Sequence, residues 1–172
     1  MTALTSLGAS AHQVSEPEVS LITFDVTADQ FALDIMGISQ ILKYEGSTEV
    51  PRAPDFVEGI ILLRNQVIPV IDLRKRLFQT TDEEKREKRV LVIRVSGITV
   101  GLKVDKVRKI VPVRVSDILP APPIVQGSDA KYFKGVVRID SAVVLLLDID
   151  RILTVAEKEL LGQTAKLARA AG

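Results

Sequence analysis

Four aspartates are the residues of this sequence that could most readily perform acid-base chemistry: Asp34, Asp72, Asp105 and Asp148. Two carboxylates held near each other can serve as general acid and general base. Asp72 and Asp148, however, each precede a short segment with helical character, where an aspartate caps the free N–H groups of the first turn. Asp34 and Asp105 lie beside predicted strands, where a solvated carboxylate is ordinary. We therefore interpret all four as structural.

The sequence lacks the residues that metal, thiol or phosphate chemistry would require. The chain has no cysteine, and its single histidine, His12, lies in a segment that we predict to be a mobile tail. No Ser-His-Asp set, thiolate zinc site or histidine metal site can be assembled from these residues. Neither GxxxxGK[ST] nor GxGxxG occurs, so no phosphate-binding loop is indicated. We predict that the protein is not an enzyme and has no cofactor; an unrecognised enzyme stays open as an alternative.

The composition is that of an ordinary globular protein. The 172 residues are 47% hydrophobic, 4% aromatic and carry a net charge of +1. A β-barrel that binds single-stranded nucleic acid would present stacking aromatics in a basic groove. Phe24, Phe31 and Phe56 instead fall at predicted core positions, so nucleic-acid binding is kept only as an alternative. No apolar run is long enough to span a membrane, and residues 1–19 do not have the pattern of a signal peptide. These features favour a cytoplasmic protein without membrane insertion.

A β-hairpin followed by a short helix is predicted from Phe56 to Leu77, FVEGIILLRNQVIPVIDLRKRL. Two apolar, β-branched runs flank the short polar break Arg64-Asn65-Gln66, which is typical of a tight hairpin turn. Asn65 suits this turn because asparagine tolerates the left-handed backbone that such turns require. The rest of the chain is organised around this stretch.

The same pattern occurs a second time at residues 132–153, YFKGVVRIDSAVVLLLDIDRIL, where Gly135 aligns with Gly59 and Asp148 with Asp72. Upstream, residues 21–42 align in the same way with residues 90–111. The repeat predicts two related β subdomains, formed by sequence copies at about 21–78 and 90–153, with corresponding hairpin tips at Arg64-Asn65-Gln66 and Asp140-Ser141-Ala142.

The remaining segments are predicted to be turns, loops and a final helix. Residues 28–30 are assigned to the first hairpin turn, residues 45–54 to a loop and residues 80–89, which carry both signs of charge, to a solvated connector. A proline-rich loop near Pro120 carries exposed apolar residues that either pack on their own barrel or meet a partner: Ile118, Leu119, Ile124 and Val125. Thr154 and Glu157 form a capping-box pattern that begins a helix or tail over residues 156–172.

The hairpin LLRNQVIPVIDLR, preceded by VPRAPDFVEGI and followed by VDKVRKIV, DILPAPP and KYFKGVVRID, resembles the CheW family of chemotaxis coupling proteins over about residues 20–155. The resemblance implies a mainly β fold of two SH3-like five-stranded β-barrels that share a core, with short helices after the hairpins and a C-terminal helix. It also implies a non-catalytic adaptor, monomeric when isolated and recruited to membrane-associated arrays. Its partners would be the regulatory domain of a CheA-type histidine kinase and the cytoplasmic tips of methyl-accepting chemoreceptors.

The resemblance also implies where the partners bind. The receptor groove of the family falls on Ile38, Gln40, Gly59, Leu63 and Arg64, and a kinase contact falls on Ile124. Arg64 suits such a site because its planar guanidinium can form paired hydrogen bonds with carboxylates and carbonyls.

Two residues depart from the family pattern: Asn65 stands where glycine is common, and Gln40 stands where an acidic residue is common. The second departure removes a possible charge partner of Arg64. An adaptor of a related motility or second-messenger pathway also fits the resemblance.

Overall fold

The computed structural model describes residues 16–78, 87–123 and 130–170, with side chains as far as residue 163. Most of the predicted tail, most of the predicted connector and Ile124 therefore lie outside the described residues. The described elements are ten strands and two α-helices, together with short 3-10 turns. The strands are β1 (Glu18–Val26), β2 (Asp29–Asp34), β3 (Ile38–Lys43), β4 (Val57–Leu63), β5 (Gln66–Asp72), β6 (Arg89–Val95), β7 (Ile98–Val104), β8 (Lys106–Arg114), β9 (Phe133–Ile139) and β10 (Ala142–Leu147); the helices are α1 (Leu73–Phe78) and α2 (Val155–Ala170).

The described strands form two five-stranded sheets. Barrel 1 has the order β8-β1-β2-β10-β9, and barrel 2 has the order β3-β6-β7-β5-β4. Each sheet curls until its edges meet: the segment after β3 pairs with β4 through a Thr48–Ile60 bridge, and the segment after β8 pairs with β9 through a Leu119–Val136 bridge. The prediction of a mainly β fold with two five-stranded units is confirmed.

The two sheets exchange strands between the sequence copies. The first hairpin of each copy, β1-β2 or β6-β7, joins the last three strands of the other copy. Four of the eight described strand pairings consequently join the two halves of the chain: β1 with β8, β2 with β10, β3 with β6 and β5 with β7. The repeat predicted two β subdomains from sequence copies at about 21–78 and 90–153; in the structure each five-stranded sheet takes strands from both copies.

The two barrels share one large apolar core. Phe24 and Phe31 of barrel 1 are fully buried in it together with Leu91 and Leu102 of barrel 2. Each barrel also has a smaller interior cluster of its own, one around Leu21 and Val144, the other around Ile68 and Val90. The inner strands are therefore apolar on both faces, since one face fills the barrel and the other fills the shared core.

The first hairpin turn differs from its predicted position. Residues 28–30 were predicted to turn, but the turn is Thr27-Ala28 and β2 already begins at Asp29. Thr27 has a left-handed φ of 57°, which is unusual for a β-branched residue. Its N–H donates to the Asp105 carboxylate at 2.6 Å. A residue 78 positions away thus stabilises this turn, and no local sequence signal indicates it.

The four aspartates are structural, as predicted, but Asp34 and Asp105 are not simply solvated. Asp34, Asp72 and Asp148 each accept a hydrogen bond from the N–H two residues ahead, at 2.9, 2.9 and 3.0 Å. Asp105 is mostly buried, where it accepts hydrogen bonds from Arg74, at 2.8 Å, and from Lys88. Burial by itself would raise the pKa of Asp105, but these bonds outweigh it and hold that pKa below the ordinary value.

The side chain of Arg76 joins the two copies. Its guanidinium lies 4.3 Å from the ring centroid of Phe56 and 5.0 Å from that of Tyr132, which occupies the equivalent position in the second copy. Arg76 Nε donates to the carbonyl of Ile152 at 2.9 Å, and its two terminal nitrogens donate to the two Glu157 carboxylate oxygens at 2.8 and 2.6 Å. The Arg76 and Glu157 side chains are only 9% and 18% exposed, so this pair is largely shielded from solvent.

Glu157 also completes the predicted capping box at the start of α2. Its N–H donates to Thr154 Oγ1 at 3.2 Å, while its carboxylate accepts from the Thr154 N–H at 2.8 Å. Burial alone would raise the pKa of Glu157; the hydrogen bonds from Arg76 and Thr154 outweigh this effect and lower the pKa below its ordinary value. One carboxylate therefore caps α2 and fixes it to α1.

Cutting the chain between the two copies should leave the molecule intact. We expect that a protease site introduced within residues 79–86 can be cleaved without separation of the halves, because four strand pairings and the shared core hold them together. Size-exclusion chromatography of the cleaved protein, with and without denaturant, measures this. Two fragments that separate in native buffer, each with a β-type circular dichroism spectrum, would show that the copies fold independently.

The substitution Arg76→Ala should destabilise the fold by roughly 3 kcal/mol at neutral pH, because it leaves the Glu157 carboxylate shielded and unpaired. A carboxylate with a lowered pKa stabilises the folded state above its unfolded pKa and loses that contribution as pH falls through the folded pKa. The difference between wild type and Arg76→Ala should therefore narrow below about pH 4. Denaturant unfolding at several pH values tests both expectations. Arg151→Ala, which removes an exposed side chain that lies 3.4 Å from the Asp148 carboxylate, is the control and should cost less than about 1 kcal/mol.

Candidate functional site

The candidate site is centred on the tip of the β4-β5 hairpin in barrel 2. Leu63 pairs with Gln66, so the connection consists of two residues, Arg64 and Asn65. Both are left-handed, with φ of 50° and 63°. Two left-handed central residues define the turn type whose twist matches that of the flanking strands. Asn65 was predicted to accept this conformation; Arg64 adopts it as well, and this fixes the direction in which its side chain leaves the hairpin.

The Arg64 side chain is exposed at this tip. Among the residues that the structure describes, none forms a hydrogen bond or an ion pair with its guanidinium. Leu63, next to it, is half-buried and packs against the interior cluster of barrel 2. The tip therefore combines an anchored apolar side chain with a cation that has no partner among the described residues.

Ile38 and Gln40 lie on β3, at the other edge of the same sheet. Ile38 is half-buried against the shared core, and Gln40 is half-buried on the strand face that Leu42 also occupies. The register of β3 against β6 shifts between them, since Ile38 pairs with Ile93 and Gln40 pairs with Val92. Such a bulge changes the direction of the side chains next to it.

Gly59 is buried beneath the candidate site. It is buried in β4, where the barrel closes, and a Cβ placed on it would lie 2.5 Å from the Thr48 carbonyl oxygen and 2.6 Å from Ser47 Oγ. Only glycine allows the segment after β3 to approach β4 so closely. Gly59 thus contributes to a groove through its backbone and not through a surface contact.

A polar cluster beneath the closing segment was not predicted from the sequence. Glu58 accepts hydrogen bonds from Lys103, at 3.0 Å, and from the Tyr44 hydroxyl, at 3.3 Å, while the Lys103 ammonium lies 4.6 Å from the Tyr44 ring centroid. Burial would raise the pKa of Glu58, but the bond from Lys103 and the nearby positive charges lower it. In the sequence, Glu58 indicated only a polar face of β4. Its partners could not be recognised because they are distant in the sequence.

A cleft of about 700 Å³ lies between the end of β3 and β4. It is lined by Val90 and by residues 42–48 and 60–63, which include Leu63. Ile38, Gln40, Gly59 and Arg64 are not among the lining residues. The predicted groove residues thus lie beside this cleft, with only Leu63 inside it.

Barrel 1 contains the equivalent of the predicted groove. The residues that correspond to Ile38, Gln40, Leu63 and Arg64 in the second copy are Val107, Lys109, Ile139 and Asp140. All four of these equivalents line one cleft of about 460 Å³. Within it, Lys109 and Asp140 form an ion pair between exposed side chains. Lys109 and Asp140 thus face each other across the cleft of barrel 1.

Comparisons with known proteins identify the family of this chain. A family model described as the CheW-like domain matches residues 20–157. The chain belongs to the CheW family. It is similar to the chemotaxis protein CheW of Treponema pallidum, at 31% identity over 86% of this chain and 89% of that protein, and to the chemotaxis protein CheW of Thermotoga maritima, at 32% identity over 79% and 88%.

A solved CheW structure has the same architecture. The scaffolding protein TtCheW from Thermoanaerobacter tengcongensis aligns with a TM-score of 0.76 and 30% identity, over 84% of this chain and 99% of that one. The predicted fold class of two SH3-like barrels is thereby confirmed. The CheW family is a family of non-catalytic chemotaxis scaffolds, which confirms the prediction that the chain is not an enzyme.

Two further predictions concern metals and membranes. Within the described residues, no group of three or more histidine, cysteine, aspartate or glutamate side chains could hold a metal ion. Neither α1 nor α2, the α-helices of the described part of the chain, has the length and apolar character needed to cross a membrane.

The kinase contact predicted at Ile124 lies outside the described residues. The loop that leads to it begins at Ile118, which packs against the interior cluster of barrel 1, and Leu119, which is 59% exposed. Leu119 exchanges two backbone hydrogen bonds of 2.8 Å with Val136 of β9. This part of the proline-rich loop is thus attached to barrel 1, whereas Arg64 belongs to barrel 2.

Substitution of either closing glycine should weaken the CheW fold. Gly59→Ala forces a Cβ to within 2.5 Å of the Thr48 carbonyl oxygen, and Gly135→Ala forces one to within 2.3 Å of the Leu119 carbonyl oxygen. We expect each to cost about 2 kcal/mol, because a backbone atom has to move. Denaturant unfolding measures the cost.

Gly162→Ala in α2 is the contrasting variant, since its Cβ would meet only a side-chain atom of Ile98, at 3.3 Å. It should change the stability by no more than about 1 kcal/mol. Equal effects of all three substitutions would contradict the specific role of barrel closure.

Proposed function

We propose that this CheW-family chain is an adaptor that couples a CheA-type histidine kinase to the cytoplasmic tips of chemoreceptors in chemotaxis. It binds the receptor tip at the groove formed by Ile38, Gln40, Leu63 and Arg64, which Gly59 shapes from within. It binds the regulatory domain of the kinase through a surface that includes Ile124. Its place of action is the cytoplasm, at membrane-associated receptor arrays.

The observation that carries this proposal is the exposed Arg64 at the tip of a two-residue turn, where none of the described residues forms a hydrogen bond or ion pair with its guanidinium. The two flanking strands fix its backbone and so the direction in which its side chain leaves the hairpin. Arginine beside a buried apolar residue is a common composition at the centre of protein interfaces. Leu63 provides that apolar neighbour.

The positions of the two proposed contacts allow both partners to bind at once. Arg64 lies on barrel 2, and the described start of the loop that leads to Ile124 is attached to β9 of barrel 1. A molecule that holds the kinase with one barrel and the receptor with the other raises their effective concentration without any chemistry of its own. This mode of action requires a stiff link between the barrels, and their shared core supplies it.

The substitution Arg64→Ala should abolish most receptor binding and leave the fold and kinase binding intact. We expect a loss of roughly 30-fold in affinity for a receptor-tip fragment, equivalent to about 2 kcal/mol, because an interface arginine is truncated. The thermal midpoint should be unchanged, since Arg64 is exposed and forms no ion pair with the described residues. Calorimetric titration of the variant against the receptor-tip fragment and, separately, against the kinase regulatory domain measures both affinities.

Asp140→Ala is the matched control, because Asp140 occupies the same position in the equivalent turn of barrel 1. It should change receptor affinity by less than about threefold. If Arg64→Ala keeps receptor affinity within threefold of wild type with the fold intact, the groove is misplaced. An equal loss toward receptor and kinase would mean that the hairpin itself had been disturbed.

A further inference from the structure

The two halves of the proposed receptor groove lie on strands that are not neighbours in the sheet. Ile38 and Gln40 lie on β3, which is one edge of the strand order in barrel 2. Leu63 ends β4, which is the other edge, and Arg64 lies in the turn that follows it. The spacing between the two halves therefore depends on how the segment after β3 is attached to β4.

Backbone pairing closes only one end of this junction. Thr48 and Ile60 exchange two backbone hydrogen bonds of 2.8 Å. Towards the hairpin tip, no further backbone hydrogen bond joins residues 42–48 to β4 in the part of the chain that the structure describes. The cleft of about 700 Å³ opens between them at this end. Here the wall of the cleft has to be held by side chains.

The side chain of Tyr44 makes this attachment. Its hydroxyl donates to Oε1 of Glu58 on β4 at 3.3 Å and lies 3.0 Å from Ser47 Oγ. Lys103 of β7 donates to the same Glu58 oxygen at 3.0 Å, and its ammonium lies 4.6 Å from the Tyr44 ring centroid. The Glu58 and Lys103 side chains are only 16% and 9% exposed, so water competes little for these bonds. Tyr44, Glu58 and Lys103 together are called the polar tether below.

Barrel 1 does not repeat the polar tether. Three residues of the other sequence copy correspond to its members: Val113, Lys134 and Asp34. Val113 is buried in the interior cluster of barrel 1, Lys134 is exposed, and Asp34 accepts a hydrogen bond from the Met36 N–H. Closure of a barrel by itself therefore does not require these polar residues. The tether belongs to the barrel that carries the proposed groove.

The polar tether fixes the end of β3 relative to the hairpin. Tyr44 directly follows Lys43, the last residue of β3, and packs with Leu63 against the interior cluster of barrel 2. Glu58 directly precedes Gly59 in β4. A displacement of Tyr44 away from Glu58 would widen the cleft beside Leu63 and move the end of β3 away from the hairpin.

We propose that Tyr44 is a positioning residue of the receptor site: its hydroxyl holds the end of β3 at the distance from the β4-β5 hairpin at which one receptor tip contacts both halves of the groove. This inference rests on the proposed function and adds a residue that acts on the receptor through others. Without the hydroxyl, only a fraction of the molecules has the binding-competent spacing, and the apparent affinity falls by that fraction.

The variant Tyr44→Phe removes the hydroxyl and keeps the ring that packs on the interior cluster and faces Lys103. We expect its affinity for a chemoreceptor signalling-tip fragment from the same organism to fall about fivefold. Its affinity for the kinase regulatory domain should stay within about twofold of that of the wild type. Calorimetric titration measures both affinities.

Tyr132→Phe is the matched control. It removes the only other tyrosine hydroxyl of the chain and leaves a phenyl ring, which is what the equivalent residue Phe56 has. Its affinity for the receptor fragment should stay within about twofold of that of the wild type.

The width of the cleft can be measured without any partner. Because the chain has no cysteine, spin labels on Glu45→Cys and Leu62→Cys report only the distance between the two walls that these exposed residues line. We expect double electron–electron resonance to show a broader distance distribution when Tyr44→Phe is added, and the receptor fragment to narrow it again. Labels on Pro112→Cys and Arg138→Cys, in a cleft of barrel 1, should show no change.

A double-mutant cycle tests whether the hydroxyl acts through Glu58. Glu58→Gln weakens the acceptor of both the Tyr44 and the Lys103 bonds. The combination of Tyr44→Phe with Glu58→Gln should bind the receptor fragment no more than about twofold more weakly than the weaker single variant. Losses that multiply would show that the two residues act independently.

The outcomes separate this inference from the function on which it rests. If Tyr44→Phe binds the receptor fragment as tightly as the wild type, or binds it more weakly with an unchanged distance distribution, Tyr44 does not position the groove and the adaptor function stands. An equal loss in Tyr44→Phe and Tyr132→Phe would likewise overturn the inference. If the wild type does not bind the receptor fragment, the proposed function fails, whatever the distance distributions show.

Discussion

The buried Arg76 guanidinium is the interaction on which the rest of the structure depends. It lies between two aromatic rings that occupy equivalent positions in the two sequence copies, and it hydrogen-bonds to the carboxylate that caps the last helix. The residue that corresponds to Arg76 in the second copy is Ile152, and Arg76 donates to its carbonyl. One asymmetric side chain thus contacts equivalent parts of both copies. Helix α1, which follows the β4-β5 hairpin, is fixed here to α2, which follows the β9-β10 hairpin. This contact also helps to fix the directions of the two hairpins.

The candidate functional surface lies at the tip of a hairpin that is itself well supported. The β4-β5 hairpin is held at its base by the N–H of Asp72, which donates to the Phe56 carbonyl at 2.8 Å, and in its middle by the closure at Gly59. Only its last two residues are free of the sheet. The backbone of Arg64 is therefore held in place by the two flanking strands.

The sequence predicted those features that depend on neighbouring residues. The tight turn at Arg64-Asn65, the cap at Asp72 and the capping box of Thr154 and Glu157 each follow from local residue type and spacing, and the repeat predicted the matching tips. The strand exchange was not predicted, because two copies with identical patterns pair equally well within a copy and between copies. The Asp105 cluster and the Arg76 contacts were missed for a related reason, since their partners lie 17 to 81 residues away. Ile38 and Gln40 were assigned to the groove through the family resemblance, which also implied that position 40 could hold a charge partner of Arg64.

The exchange of strands affects how far the two sequence copies can diverge in evolution. If a single copy were to assemble with an identical second chain, the two barrels would be identical, and every substitution would appear in both. Joining the copies in one chain removes that restriction while the shared core still requires both halves. Arg64 and Asn65 can then diverge from Asp140 and Ser141 although their backbones remain superimposable. A fold with internal symmetry thus acquires two unlike hairpin tips.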